Sequence, residues 1–153
     1  MSVSDQKDIF GCDVGNGFGF ISVLKDTKAD PVAMFPAKYN LKAVGMPTSA
    51  YIVPPEGEKT EVFDGRPAYE KHKRESDKFI HAVKTRLKEG AISVPGISKP
   101  VAVDRVYAAV ARDLVKLGNE ERKNRGEDPI YEMVFTFPAS FTNDLNLLNR
   151  MQK

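Results

Sequence analysis

The chain has 153 residues, 41% of them hydrophobic and 29% charged, and its 23 basic and 21 acidic side chains leave a formal charge of +2. That is enough apolar chain for a compact domain with a core, and the charges are too evenly mixed to call for nucleic acid or an anionic membrane. Cys12 is the single cysteine and His72 and His81 are the only histidines, which excludes an internal disulfide, a thiolate zinc cluster and an imidazole-rich metal site.

No stretch approaches the roughly 20 consecutive apolar residues of a membrane span. The polar start Met1-Ser-Val-Ser-Asp-Gln-Lys-Asp8 lacks the apolar segment of a secretory signal, so the expected location is cytoplasmic.

In chain order, Asp8 to Val14 and Phe18 to Leu24 are short, rich in β-branched and aromatic residues, and joined by Gly15-Asn16-Gly17. They predict a β-hairpin whose tight turn uses the tolerance of Asn and Gly for positive φ. A polar turn is expected from Lys25 to Asp30 and a third strand from Pro31 to Phe35. Met46 to Asp64 holds two apolar stretches around Pro54-Pro55-Glu56-Gly57, which predicts a second, smaller hairpin. Gly65 to Glu75 reads as a short helix. Asp77 to Lys88 reads as another, because Phe79, Ile80, Val83 and Leu87 share one helical face and Gly90 follows as a stop.

The strongest periodicity runs from Val101 to Lys123, where Val103, Val106, Tyr107, Val110, Leu114 and Leu117 recur at three and four residues, the stripe of an amphipathic helix. The charged run Glu120 to Asp128 is expected to be a solvated helix end and loop. Tyr131 to Phe137 predicts a strand, with Tyr131, Phe135 and Phe137 alternating into the core. Thr142 is placed to cap a last helix carrying Leu145, Leu148 and Met151, in which the chain is expected to end.

Chemistry concentrates in Asp13-Val14-Gly15-Asn16-Gly17-Phe18-Gly19. Its glycines allow backbone N–H groups to approach an anion, and Asp13 at the strand end suits magnesium held directly or through water. The same residues also fit a plain hairpin turn with an acid at its strand end, so two readings stand. A Walker loop and a dinucleotide fingerprint both fail, because their glycines lead into a helix and these lead into a strand. Lys84 can place an ammonium near a transferring phosphoryl group. Arg86, Lys88 and Lys73 can do the same, and all four also read as solvated helix charges. Cys12, inside an apolar strand, reads as a small buried hydrophobe.

Taken in order, Phe10-Gly-Cys-Asp-Val-Gly-Asn-Gly17, Met46-Pro-Thr-Ser-Ala-Tyr51, Val62-Phe-Asp-Gly-Arg-Pro-Ala68, Ala82-Val-Lys-Thr-Arg-Leu87 and Met133-Val-Phe-Thr-Phe-Pro-Ala-Ser-Phe141 resemble the start of the nucleotide-binding domain of heat-shock protein 70 chaperones. The resemblance spans almost the whole chain. It implies an α/β fold of the actin-like ATPase superfamily: a ribonuclease-H-like mixed sheet with helices, from about residues 1–42 and 101–153, plus a small α+β outer subdomain from about 43 to 100.

It further implies that Gly15, Asn16 and Gly17 contact the phosphates of ATP or ADP, that Asp13 organises Mg and its waters, and that Lys84 positions the attacking water. Pro138 matches the proline that couples nucleotide state to domain docking in these chaperones. The implied partners are client proteins, co-chaperones and the C-terminal lobe that closes the cleft. The chain is accordingly expected to be an incomplete domain, an excised or truncated lobe that binds ATP weakly and hydrolyses it negligibly alone.

The chain departs from the family where hydroxyl residues follow the loop glycine, carrying Asn16 and Gly17 instead, a form closer to plasmid-segregating bacterial actin relatives. The alternatives are therefore a filament-forming ATPase lobe and a non-catalytic protein-interaction module with the same shape.

Overall fold

A computed structural model describes residues 8–25, 28–32, 46–53, 61–64 and 76–136, with Asn146 and Asn149. Strand β1 (Ile9–Val14) alternates as its sequence does, burying Phe10, Cys12 and Val14 and leaving Ile9 and Asp13 outside. It turns into β2 (Phe18–Lys25), antiparallel, in a register running from Val14 opposite Gly19 to Ile9 opposite Leu24. β3 (Lys28–Val32) follows after two residues and pairs antiparallel with β2. The expected third strand therefore starts earlier than Pro31, and Lys25 and Lys28 to Asp30, read as turn, lie in strands.

The short β4 (Met46–Pro47) lies against the start of β2, and β5 (Ala50–Val53) pairs with β6 (Glu61–Asp64) as the expected second hairpin. β7 (Phe79–Ile80) adds to the other edge of β5. After it come helix α1 (Val83–Arg86), a 3-10 turn at Leu87–Glu89, and a two-residue ladder of β8 (Ala91–Ile92) with β9 (Val101–Ala102). Helix α2 (Val103–Asn124) then leads to β10 (Met133–Thr136), which pairs parallel with β1.

The larger sheet thus reads β10-β1-β2-β3, with β4 attached to β2. A parallel neighbour cannot be reached by a hairpin, and α2 supplies the crossover. The result is a mixed α/β architecture.

Helix α2 follows the predicted stripe: Val103, Val106, Tyr107, Val110, Ala111 and Leu114 are buried. They join Phe10, Cys12, Val14, Ile21 and Val23 of the larger sheet and Ala50, Ile52, Ile80, Val83, Leu87, Ile92 and Val94 in one hydrophobic cluster. Each large side chain so buried contributes about 1.5–3 kcal/mol relative to exposure. Gly19 sets the distance of closest approach, since a Cβ there would stand 3.0 Å from one Leu114 methyl and 3.3 Å from the other.

Several expectations are corrected. Residues 77–88 are not one helix: a 3-10 turn at Ser76–Lys78 precedes β7, and only Val83–Arg86 is α-helical. Phe79 and Ile80 are buried not on a helix but in a strand, opposite Tyr51 and Ala50 of β5. Ala82 at φ 49° separates strand from helix, and Gly90 at φ 71° ends the turn as expected. Tyr131, which precedes β10 and is 73% exposed, and Phe135 within β10 lie at the surface and not in the core.

The run from Glu120 to Asp128 is not wholly solvated. Arg122 is buried, with its guanidinium 4.7 Å from the centre of the Phe10 ring, 3.1 Å from Asp8 and 3.0 Å from Glu127. The expected helix at Gly65 to Glu75, Lys73, Phe137 and Pro138 lie outside the described residues. So does most of the helix expected after Thr142, of which Asn146 and Asn149 are helical. No helix among the described residues is long and apolar enough to cross a membrane.

Candidate functional site

Alternation along β1 puts Asp13 on the face of the sheet opposite α2, at the strand's C-terminal end. There it lies level with Phe20 of β2 on one side and Thr136 of β10 on the other. Its carboxylate is about half exposed, at 55%. Oδ1 accepts two hydrogen bonds, from Thr136 Oγ1 at 2.8 Å and from Lys84 Nζ at 3.2 Å. Lys84 reaches it from α1 with a side chain only 12% exposed, its methylene stem packed and its ammonium brought to the carboxylate. The placement of Lys84 depends on Ala82, whose left-handed conformation lets α1 start immediately after β7.

The loop that follows Asp13 is held from both sides. Gly15 N–H donates to the Phe18 carbonyl at 3.1 Å, and a Cβ at Gly15 would come within 2.5 Å of that oxygen, so this turn admits only glycine. On the other flank, Thr48 Oγ1 donates to the Gly15 carbonyl at 2.7 Å and Thr48 N–H to the Gly17 carbonyl at 3.0 Å. At the tip, Thr85 Oγ1 donates to Asn16 Oδ1 at 2.7 Å.

The positive-φ residues among those described are Ala82, Gly90, Gly96 and Gly126. Asn16 and Gly17 are not among them, so the turn does not use the mirror-image backbone that its sequence suggests. Side-chain hydrogen bonds from Thr48 and Thr85 hold it instead. The backbone N–H groups of Asn16 and Gly17 donate to no acceptor among the described residues, and a Cβ at Gly17 would meet nothing within 4 Å.

All five candidates from the sequence therefore meet at one place: Asp13, Gly15, Asn16, Gly17 and Lys84. Arg86 and Lys88, the other basic candidates among the described residues, do not. Arg86 is engaged by Glu89 at 2.9 Å, which holds the Arg86 guanidinium above and the Glu89 carboxyl below their ordinary values. Lys88 is exposed and pairs with nothing at the loop.

Thr48, Thr85 and Thr136 were not singled out by sequence, since a threonine carries no signal until its neighbours in space are known. Beneath Asp13, burial pushes the Cys12 thiol up to about 12, with the Asp13 carboxylate adding to the effect. Burial likewise raises the Tyr107 hydroxyl. Cys12 is thus an inert filler at neutral pH, as its setting suggested. A shallow groove on the outer side of α2, lined by Arg112, Val115, Lys116, Asn119, Glu120 and Lys123, draws on none of the residues gathered around Asp13.

The oxygen-rich character of the cluster suits magnesium in kind. Among the described residues no group of three or more His, Cys, Asp or Glu side chains forms, so a magnesium ion here would rest on Asp13 and water. Comparison of the sequence with models of known protein families and with curated proteins finds no match.

Proposed function

We propose that this chain is a nucleotide-binding lobe of the actin-like ATPase class, with a ribonuclease-H-like sheet. Within that class, its sequence resemblance favours the heat-shock protein 70 type of chaperone, acting on ATP. The fold reading is supported by the order β10-β1-β2-β3, in which an antiparallel trio is extended by a parallel strand after a helical crossover. The observation that carries the functional reading is the meeting of Lys84 and Asp13, 3.2 Å apart, beside the glycine loop. These residues lie 71 positions apart in sequence.

In this reading the free N–H groups of Asn16 and Gly17 bind phosphate oxygens, because fixed backbone dipoles at a sterically open loop suit an anion. Asp13 would hold magnesium through its water shell, with Thr136 orienting the carboxylate. When bound, magnesium offsets the negative charge of the phosphate chain. Lys84 pairs with Asp13 at 3.2 Å, and its ammonium would offer positive charge to a phosphoryl oxygen or to the attacking water. Residues on one side of a cleft enclose little of a nucleotide, so tight binding calls for a second lobe. Client proteins and co-chaperones are the further partners this reading implies, in the cytoplasm.

A second reading, a filament-forming bacterial actin relative, is favoured by Asn16-Gly17 in place of hydroxyl residues. It differs in predicting nucleotide-dependent polymers.

The test is calorimetric titration of Mg-ADP and Mg-ATP into this chain and into a longer chain that adds the second lobe. Binding that strengthens with the added lobe, and weakens about tenfold in Lys84→Met and Asp13→Asn, is the expected outcome for lost charge-assisted contacts. If neither chain binds, the ATPase reading is wrong and the non-catalytic interaction module replaces it.

A further inference from the structure

The geometry points to Thr85 as the positioning residue that turns the Asn16 side chain into an anion donor. This inference rests on the phosphate-loop reading and adds to it a side-chain ligand that the loop's backbone does not provide. A carboxamide presents an acceptor at one end and two donors at the other. In this chain the acceptor is already used: Thr85 Oγ1 donates to Asn16 Oδ1 at 2.7 Å. The Nδ2 group is thereby left without a partner among the described residues, at the tip where the backbone N–H groups of Asn16 and Gly17 are also unpaired.

The Nδ2 group and the two backbone N–H groups at that tip are then donors, and Lys84 reaches the same region from the residue next to Thr85. Converging donors favour an anion. Were the amide reversed, Oδ1 would face the ligand and repel phosphate oxygens. The hydroxyl of Thr85 decides between the two orientations, and α1 thus contributes to the loop twice, with a charge through Lys84 and with an orientation through Thr85.

Because Thr85 acts through Asn16, its effect must vanish when Asn16 is gone. The experiment follows the Asn16 side-chain NH2 signals of the 15N-labelled chain by NMR during titration with Mg-ADP and, separately, with inorganic tripolyphosphate. Both anions are expected to shift those signals. Binding is expected to weaken about tenfold in Asn16→Ala and about three- to tenfold in Thr85→Val, the range of one typical hydrogen bond. Thr85→Ser, which keeps the hydroxyl, should retain wild-type affinity. Thr85→Val should add nothing in an Asn16→Ala background, and thermal melts confirm that each variant folds.

Mg-ADP binding with unmoved Asn16 NH2 signals, or an equal loss from Thr85→Val with and without Asn16, overturns the inference and leaves the nucleotide reading standing. Tripolyphosphate binding through Asn16 without any binding of Mg-ADP does the reverse. Absence of binding by either anion at millimolar concentration overturns both.

Discussion

The contact between Gly19 and Leu114 allows a quantitative check on how the sheet and helix α2 are fitted together. Leu114 is fully buried, so Leu114→Ala removes its methyl groups from a site with no route to solvent. The expected loss is about 3–5 kcal/mol, combining lost transfer free energy with the cavity left behind. Gly19→Ala alone forces a Cβ to within 3.0 Å and 3.3 Å of the two Leu114 methyls and 3.2 Å of Thr48 Cγ2. Overpacking of this kind costs about 1–3 kcal/mol, partly offset by about 0.5–1 kcal/mol from the lower chain entropy of alanine in the unfolded state.

In the double variant the Gly19→Ala methyl enters space that the Leu114 methyls have vacated, and only the Thr48 contact still has to yield. Gly19→Ala should therefore be neutral or stabilising in the Leu114→Ala background, a coupling of about 1–3 kcal/mol. Urea denaturation followed by far-UV circular dichroism on the four proteins measures it. If the two single effects sum to that of the double variant within about 0.5 kcal/mol, Gly19 does not set the helix–sheet distance and the packing described here is wrong.

Other outcomes follow from single features. Arg122→Met should lower stability by about 2 kcal/mol in the same denaturation assay, because it strips a charge-assisted hydrogen bond from Asp8 and an ion pair from Glu127 while both carboxylates keep access to water. Cys12 has its thiol raised by burial from 9.0 to about 12, so the neutral form is favoured on folding. Its stabilising effect is complete below pH 9 and is lost as pH rises from 9 towards 12. Cys12→Ala should flatten that part of an alkaline denaturation profile, leaving the share due to Tyr107, which is raised in the same direction. Ala82→Gly relieves a left-handed alanine at φ 49° and is expected to stabilise the fold by about 1 kcal/mol in thermal melts.

Local pattern made part of this molecule legible. The alternation in β1, the glycines after it and the three-four spacing of α2 each express a physical preference contained within a dozen residues, and each led to the element observed. Asp13 and Lys84 could be named as chemistry-bearing, but their proximity could not be, since it is produced by packing across 71 residues. The failure at residues 77–88 has the same origin. Phe79, Ile80, Val83 and Leu87 satisfy a helical face locally, and only the unpaired edge of β5 converts the first two into a strand. Ala82 gave no warning, because alanine has no preference for the conformation it adopts there. The exposure of Tyr131 and Phe135 likewise depends on what packs over this part of the chain, which their own alternation does not determine.

The pairing of β1 with β10 has a consequence for the order in which the molecule can be made. Asp13 is synthesised 123 residues ahead of Thr136, the residue whose hydroxyl holds it. Until β10 emerges, a nascent chain carries the β1–β2–β3 meander with one flank of β1 open, and closing so long a loop must precede any return from the contacts it allows. An unpaired strand flank is a template for the wrong partner. Assembly of the site therefore waits on β10, and until it arrives the open flank of β1 is exposed to aggregation.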